Sequence, residues 1–130
     1  MQNENLIPAP AILPDTAPYW EAANEGRLLL KCCTDCGEVH FYPRDICPHC
    51  LSSRTEWFEA QGTGTIYSFS TNPRARDNFI MAYVTLDEGV TMMTNLVDCD
   101  PGTLSVGQRV KVVFRPASNG QAVPMFAPVA

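Results

Sequence analysis

The residues Cys33-Thr34-Asp35-Cys36 and Cys47-Pro48-His49-Cys50 form two matched motifs, with ten residues between them. Two residues between a pair of cysteines let both thiolates turn toward one point, and two such pairs complete a tetrahedral site with Zn–S bonds of about 2.3 Å. Gly37 follows the first motif and Pro48 lies inside the second, and tight turns use both residue types. The spacing therefore predicts one structural zinc ion per chain, held by Cys33, Cys36, Cys47 and Cys50.

Other uses of these cysteines fit the pattern less well. Two disulfides are disfavoured because nothing marks the chain for export, and thiols inside cells stay reduced. A thioredoxin-type redox centre needs only one Cys-x-x-Cys motif, and a catalytic zinc needs an open coordination position that four cysteines close. Iron in a rubredoxin-like site stays open as an alternative, because the same four thiolates bind it. Cys32 is left out of the ligand set because it would change the spacing to three residues.

The sequence after Gly62 is typical of a small β-domain. It predicts five short strands, at residues 64–71, 79–86, 90–97, 109–115 and 123–129. The tight connection Asp87-Glu88-Gly89 contains a glycine available for positive φ, so the second and third of these strands should form a hairpin. A longer crossover spans residues 98–107, and a turn follows at Ser118-Asn119-Gly120. A closed or nearly closed barrel, such as an OB-fold, hides the edges of five short strands.

The N-terminal part of the chain has a different character. Residues 1–14 are polar and rich in proline, which favours an extended arm. A short helix is predicted from about Pro18 to Glu25, and Tyr19 and Trp20 share one of its faces. That face is expected to pack on the chain itself or to contact a partner. The predicted fold is mainly β: an arm and short helix at 1–26, a zinc ribbon at 27–61 and a five-stranded barrel at 62–130.

The remaining titratable residues do not assemble a catalytic set. His40 and His49 are the two histidines of the sequence, neither has an acidic partner at a catalytic spacing, and both are expected to face solvent beside the metal. Cys99 lies between Asp98 and Asp100, whose carboxylates raise a thiol pKa rather than activate the thiol. No nucleophile elbow or phosphate-binding glycine loop occurs. The sequence therefore predicts a chain without catalytic residues.

The charge distribution disfavours a nucleic-acid-binding role. The net charge of the chain is −5, and most of the acidic excess precedes Arg27, so the remaining chain is nearly balanced. A balanced surface lacks the basic face that neutralises phosphates. Arg74 and Arg76 form a tight basic pair, which predicts either a solvated loop or a contact to an anion such as a ligand phosphate. Single-stranded nucleic acid nevertheless stays an alternative ligand, because zinc ribbons and OB barrels bind it in other proteins.

The sequence shows no segment that addresses the chain to a membrane. No apolar run approaches the roughly 20 residues that span a bilayer, and the N-terminal segment is acidic and interrupted by prolines. A cytoplasmic location without membrane association is therefore expected.

Several motifs in one order resemble the DUF35 family. They are Tyr19-Trp20, Glu25-Gly26-Arg27-Leu28, Cys33-x-x-Cys36-Gly37, Pro43-Arg44, Cys47-Pro48-His49-Cys50, Gly62-Thr63-Gly64-Thr65-Ile66-Tyr67-Ser68, Leu86-Asp87-Glu88-Gly89 and Val123-Pro124-Met125-Phe126. The resemblance covers about Thr16 to Pro128 and implies an N-terminal helical segment, a rubredoxin-like zinc ribbon and a C-terminal OB-fold barrel. Cys32 departs from the family pattern, where another residue usually stands.

The resemblance also implies a function and partners. Members of this family accompany CoA-ester enzymes, so it implies a non-catalytic accessory subunit of a thiolase, a lipid-transfer-protein-like thiolase or aldolase, or an enoyl-CoA hydratase. Such a subunit would stabilise its partner and help to bind the acyl-CoA. The expected partner contacts are the helix bearing Tyr19 and Trp20 and the C-terminal run bearing Met125 and Phe126.

Overall fold

A computed structural model describes residues 7–71 and 80–129. The described chain forms one short helix, a small three-stranded sheet and a five-stranded barrel, so the mainly β fold is confirmed. The helix is α1, Ala17–Asn24, and the small sheet contains β1, Leu29–Cys33, β2, Val39–His40, and β3, Thr55–Glu59. The barrel contains β4, Thr63–Ser70, β5, Ile80–Leu86, β6, Thr91–Leu96, β7, Arg109–Pro116, and β8, Ala122–Pro128, with a 3-10 turn at Pro101–Thr103.

The helix α1 has the boundaries that its end residues favour. Pro18 lies in the first turn, where its missing N–H costs no helical hydrogen bond. Gly26 follows the helix with a φ of +80°, and its N–H donates to the carbonyl of Ala23 at 3.0 Å. The helix buries Tyr19, Trp20, Ala22 and Ala23.

The zinc-ribbon sheet places β1 between β2 and β3, and both pairs are antiparallel. Lys31 at the centre of β1 pairs with His40 on one side and with Trp57 on the other. Because β1 ends at Cys33, the sheet directly positions the first metal-ligating residue.

The barrel closes in the strand order β4-β5-β6-β8-β7, with β7 returning to β4. Within the barrel β6 and β8 run parallel, at Leu96 and Phe126, and the other neighbours are antiparallel. This is the topology of an OB-fold. The predicted hairpin is present, since β5 pairs with β6 across a turn in which Gly89 has a φ of +99°.

A single hydrophobic core joins the helix, the ribbon and the barrel. Tyr19 and Trp20 of α1 and Leu30 of β1 lie in the same buried cluster as the barrel residues Ile66 and Phe126. Three residues separate β3 from β4, and at this junction the N–H of Ala60 donates to the carbonyl of Leu28 at 2.8 Å. The proposed domain limits 1–26, 27–61 and 62–130 remain an interpretation, and the modules they separate share one core.

The four residues expected to contact a partner are buried in the single chain. The exposed fractions are 3% for Tyr19, 8% for Trp20, 3% for Met125 and 0% for Phe126. Helix α1 packs against β8, so the aromatic face of the helix and the C-terminal strand cover each other. In the single chain these side chains therefore pack within the fold, and their contact with a partner stays a prediction.

No helix in the described ranges is both long enough and apolar enough to cross a bilayer.

Candidate metal centre

Four cysteine sulfurs converge at one end of the ribbon sheet. The Sγ atoms of Cys33, Cys36, Cys47 and Cys50 all lie within 4.8 Å of one another. The Sγ atoms of Cys33 and Cys50 are 3.5 Å apart, and those of Cys36 and Cys47 are 3.7 Å apart. A tetrahedral zinc with Zn–S bonds of about 2.3 Å requires sulfurs separated by roughly 3.8 Å. The cluster therefore has the dimensions of a zinc site with four thiolate ligands, and these separations far exceed the roughly 2.05 Å of a disulfide.

Two similar turns position the sulfurs. The N–H of Gly37 donates to the carbonyl of Cys33 at 2.8 Å, and the N–H of Leu51 donates to the carbonyl of Cys47 at 2.9 Å. Each turn ends at a residue with positive φ, +78° at Gly37 and +68° at Leu51. Cys33 and Cys47 are fully buried, whereas Cys36 and Cys50 lie on the exposed side. The chain therefore holds each Cys-x-x-Cys pair in a knuckle, with one ligand inside and one at the surface.

The charge environment of the sulfurs calls for a bound cation. The backbone N–H groups of Cys36 and Asp35 point to the Cys33 sulfur and lower the pKa of this thiol to about 7. The N–H of Glu38 also lowers the pKa of Cys36, but burial and the three neighbouring sulfurs outweigh it and raise that pKa to about 12. The thiolate of Cys33 thus forms readily whereas that of Cys36 is opposed, and a bound dication would stabilise the four thiolates together.

The ligand set excludes the neighbouring cysteine. The Cys32 sulfur lies 3.7 Å from the carbonyl oxygen of Cys33 and 3.8 Å from that of Gly37, outside the cluster of sulfurs. Cys99 is half-buried, and burial together with Asp98 and Asp100 raises the pKa of its thiol. Neither cysteine is placed to bind the metal.

The two histidines occupy different environments. His49 is exposed, as expected, but the expectation that His40 faces solvent is wrong, because its side chain is only 3% exposed. The N–H of Arg44 donates to Nε2 of His40 at 3.3 Å, and Nδ1 is buried without a partner among the described residues. His40 lies on β2 beside Lys31, so its position in the sheet explains its burial.

The side chain of Lys31 is a buried cation in the same sheet, and the sequence pattern did not predict its burial. Lys31 is 5% exposed, and its Nζ donates to Asp45 at 3.3 Å and to Thr55 at 3.2 Å. The same Nζ lies 4.7 Å from the centroid of the Trp57 ring. These contacts tie β1 to β3 and to the loop that leads to the second knuckle.

The proposed anion contact at Arg74 and Arg76 lies outside the described residues.

Among residues 7–71 and 80–129, the four cysteines are the one group of three or more His, Cys, Asp or Glu side chains that could share a metal ion. A set of four cysteine ligands leaves no open coordination position, so its role is structural.

The fold and the site together define a class, that of proteins in which a four-cysteine zinc ribbon precedes an OB-fold barrel. Residues 20–56 match the family described as the ChsH2 rubredoxin-like zinc ribbon domain, and residues 57–115 match the ChsH2 C-terminal OB-fold domain. These matches and the four converging sulfurs fit one structural zinc ion.

Two curated relatives are similar to this chain. A probable enoyl-CoA hydratase alpha subunit of Thermomonospora curvata is 34% identical over 128 residues, which is 95% of this chain and 40% of that protein. A DUF35 domain-containing scaffold protein of Methanothermobacter thermautotrophicus is 37% identical over 90 residues, covering 64% of this chain and 68% of that protein. The chain thus spans less than half the length of the hydratase subunit.

A solved structure is similar along nearly the whole chain. It is titled Ltp2-ChsH2(DUF35) aldolase, and the matched chain is 33% identical with a TM-score of 0.80, covering 94% of this chain and 100% of that chain. The chain described here belongs to the DUF35 family, with the ChsH2 type of zinc ribbon and OB-fold.

Proposed function

We propose that this chain is a non-catalytic accessory subunit of a CoA-ester enzyme, with a hydratase-like or a thiolase- or aldolase-like partner. The observation that carries the proposal is the match to a chain of the Ltp2-ChsH2(DUF35) aldolase, which is 33% identical and covered over its full length. The similarity to a probable enoyl-CoA hydratase alpha subunit supports the same class of partner. The accessory role is consistent with relatives that are named scaffold proteins.

The chemistry of the described residues supports a role without catalysis. The metal site has four thiolate ligands and therefore no position for substrate or water. His40 is buried with its Nε2 occupied by a backbone N–H, and Cys99 has a raised thiol pKa. A general base or a nucleophile requires the opposite conditions.

The described part of the barrel offers little positive charge to a nucleic acid. Its basic residues are Arg109, Lys111 and Arg115, and two of them are paired. The guanidinium of Arg109 contacts Asp87 at 2.8 Å, and that of Arg115 is paired with Asp98. Nucleic-acid affinity depends largely on phosphate neutralisation, so a protein partner is the better match.

The test is to reconstitute the complex from its parts. The tagged chain is purified from its native host, the co-purifying enzyme subunit is identified by mass spectrometry, and both are then produced separately. Turnover of short-, medium- and long-chain acyl-CoA esters is measured for each part and for the mixture. We expect no turnover by the isolated chain, and higher activity or stability of the enzyme subunit in the mixture than alone.

Two outcomes would contradict the proposal. Turnover of an acyl-CoA ester by the isolated wild-type chain would make it an enzyme in its own right. Failure of the zinc-loaded chain to associate with any CoA-ester enzyme would remove the accessory role.

A further inference from the structure

The outer side of the barrel carries an exposed group of large apolar side chains. Tyr67 of β4, Met81 and Tyr83 of β5, and Met93 of β6 are 67%, 52%, 45% and 56% exposed. Each strand also sends alternate residues inward, such as Val84 and Met92, which are buried. We call the outward group Tyr67, Met81, Tyr83 and Met93 the barrel face.

The strand register brings these side chains together. Ser68, Tyr83 and Met93 form one cross-strand row, and Ser70, Met81 and Asn95 form the next row. Residues directly opposite each other on neighbouring strands have Cβ atoms about 5 Å apart. Tyr83 therefore lies beside Met93, and Met81 is only two residues away on the same face.

A β-bulge adds the second tyrosine. The register between β4 and β5 shifts between Ile66 and Ser68, so Tyr67 has no partner of its own on β5. Tyr67 and Ser68 both follow the buried Ile66, and Phe69 turns back toward the core. Bulges redirect side chains in this way and recur near functional surfaces. Here the bulge places an additional aromatic ring at the edge of the face.

The outer side of these three strands is uncharged, and the polar residues Ser70, Thr85 and Asn95 flank the barrel face. Along their described lengths β4, β5 and β6 contain no charged residue. In a sheet with one solvated face, the residues that point outward are normally polar. The centres of protein interfaces are depleted in charge and enriched in tyrosine and methionine. An uncharged face is complementary to another uncharged protein surface, and it carries no positive charge to neutralise a phosphate backbone.

The area of the face also suits a protein partner. At about 200 Å² for a fully exposed side chain of this size, the four residues together expose roughly 400 Å². That is as large as the largest apolar patch of a typical monomer. It is also about half of the roughly 800 Å² that each protein contributes to an interface of standard size.

We propose that the barrel face is the surface on which the enzyme subunit docks. This inference rests on the proposed function, because it names the surface used by the partner proposed there. Tyr83 is at the centre, since β5 lies between β4 and β6. Tyr83 is therefore the anchor whose replacement should weaken assembly most.

The experiment measures the affinity of the zinc-loaded chain for the recombinant enzyme subunit identified by co-purification. The variants are Tyr83→Lys, Met93→Lys and Tyr83→Phe, and the matched control is Ile12→Lys, an equally exposed apolar residue in the N-terminal arm, with 45% exposure at both positions. We expect Kd to rise at least tenfold for Tyr83→Lys and Met93→Lys and less than threefold for Tyr83→Phe and Ile12→Lys. Zinc content and the midpoint of thermal unfolding should remain unchanged in all four.

The alternative outcomes are distinguishable. If both lysine variants bind the enzyme subunit as tightly as the wild type does, the docking surface is overturned and the proposed function stays intact. Loss of binding in Ile12→Lys alone would move the interface to the arm and overturn the inference. Absence of wild-type binding would overturn the proposed function, and the inference with it.

Two further measurements test other occupants of the face. A fluorescent oligothymidylate that binds the wild type tightly at physiological salt, and not Tyr83→Lys, would assign the face to single-stranded nucleic acid. Sedimentation showing a dimer of the chain alone that Tyr83→Lys dissociates would assign it to a second copy. Either result would overturn the proposal, and we expect neither.

Discussion

The indole N–H of Trp20 donates a 2.9 Å hydrogen bond to the hydroxyl oxygen of Tyr42. This bond joins the helix α1 to the segment between the two zinc knuckles, inside a group of edge-on aromatic contacts. The ring centroid of Tyr19 lies 4.9 Å from that of Trp20 and 5.5 Å from that of Tyr42. The helix is therefore part of the ribbon's own packing.

Replacing Trp20 by alanine should destabilise the isolated chain. The buried indole fills the shared core, and loss of a buried aromatic ring costs about 3–5 kcal/mol. Tyr42→Phe removes only the hydrogen-bond acceptor and should cost about 1–2 kcal/mol, because the indole N–H loses its partner. Urea unfolding of the zinc-loaded variants measures both. A Trp20→Ala chain as stable as the wild type would contradict the packing role.

Replacing any one of the four ligand cysteines by serine should release the metal. Cys33→Ser, Cys36→Ser, Cys47→Ser and Cys50→Ser each remove one thiolate from a site whose remaining sulfurs repel one another when ionised, so the affinity for zinc should fall steeply. Elemental analysis after dialysis should show less than one zinc per chain in these variants.

The controls for this experiment are Cys32→Ser and Cys99→Ser, which lie outside the cluster and should keep one zinc per chain. The wild type should be colourless. Full zinc occupancy in Cys33→Ser would refute the ligand assignment. Iron in wild-type protein produced with zinc available would refute the choice of metal.

Replacing Gly64 by alanine should distort the start of the barrel. A Cβ atom at Gly64 would lie 2.5 Å from the carbonyl oxygen of Thr85 and 3.1 Å from the Cα of Leu86. These are backbone atoms of the paired strand and cannot rotate away, so overpacking should cost about 1–3 kcal/mol.

Gly102→Ala is the matched control, because a Cβ there would meet nothing closer than 3.6 Å. Thermal unfolding of the two variants should show a lower midpoint for Gly64→Ala alone. Equal midpoints would mean that the barrel opens enough at β4 and β5 to admit a methyl group.

The stability of the zinc-loaded chain should decrease as the pH falls below about 6.5. Burial lowers the pKa of His40, and the positive charges of His49, Lys31 and Arg44 lower it further, against the opposing hydrogen bond from the Arg44 N–H. The pKa of His40 is lower in the folded chain than in the unfolded chain. The unfolded chain therefore binds the proton more tightly, and protonation favours unfolding. The free energy of unfolding should begin to decrease near the unfolded pKa of about 6.5 and should continue to decrease until the pH reaches the folded pKa.

Denaturant unfolding between pH 7.5 and 5.5, with zinc content checked at each point, tests this expectation. His40→Gln should flatten the dependence, and His49→Gln, at an exposed position, should change it less. If His40→Gln retains the full dependence, the proton is bound elsewhere, with the thiolates as the first group to examine.

Replacing both Arg74 and Arg76 by alanine should weaken acyl-CoA binding by the assembled complex, if these guanidinium groups contact the CoA phosphates. Each charge-assisted hydrogen bond contributes about 1.5–3 kcal/mol, so a loss of tenfold or more is expected. Isothermal titration calorimetry of the complex with an acyl-CoA ester measures this affinity. Unchanged affinity would assign both residues to a solvated loop.

The metal site and the barrel could be predicted because short-range chemistry specifies them. The Cys-x-x-Cys spacing limits where the sulfurs can lie, and the strands observed at Thr63–Ser70 and Arg109–Pro116 differ from the predicted ranges by at most one residue at each end. Turn residues such as Gly89 lie where positive φ is needed.

The features that escaped prediction depend on contacts between distant parts of the chain. The burial of Lys31 depends on Asp45, Thr55 and Trp57, which come from the inter-knuckle loop and from β3. The burial of Met125 and Phe126 depends on the helix that packs on β8. Positive φ at Leu51 could have been inferred, because this residue follows Cys47 at the distance at which Gly37 follows Cys33.

The short connection between β3 and β4 is hydrogen-bonded to other parts of the barrel. The N–H of Gln61 donates to the Glu88 carboxylate at 2.8 Å, and the N–H of Val112 donates to the carbonyl of Gly62 at 2.7 Å. These bonds restrain the short connection on two sides and oppose bending there. The zinc ribbon and the barrel should therefore move as one unit, so that a protein in contact with both modules would be held at one spacing.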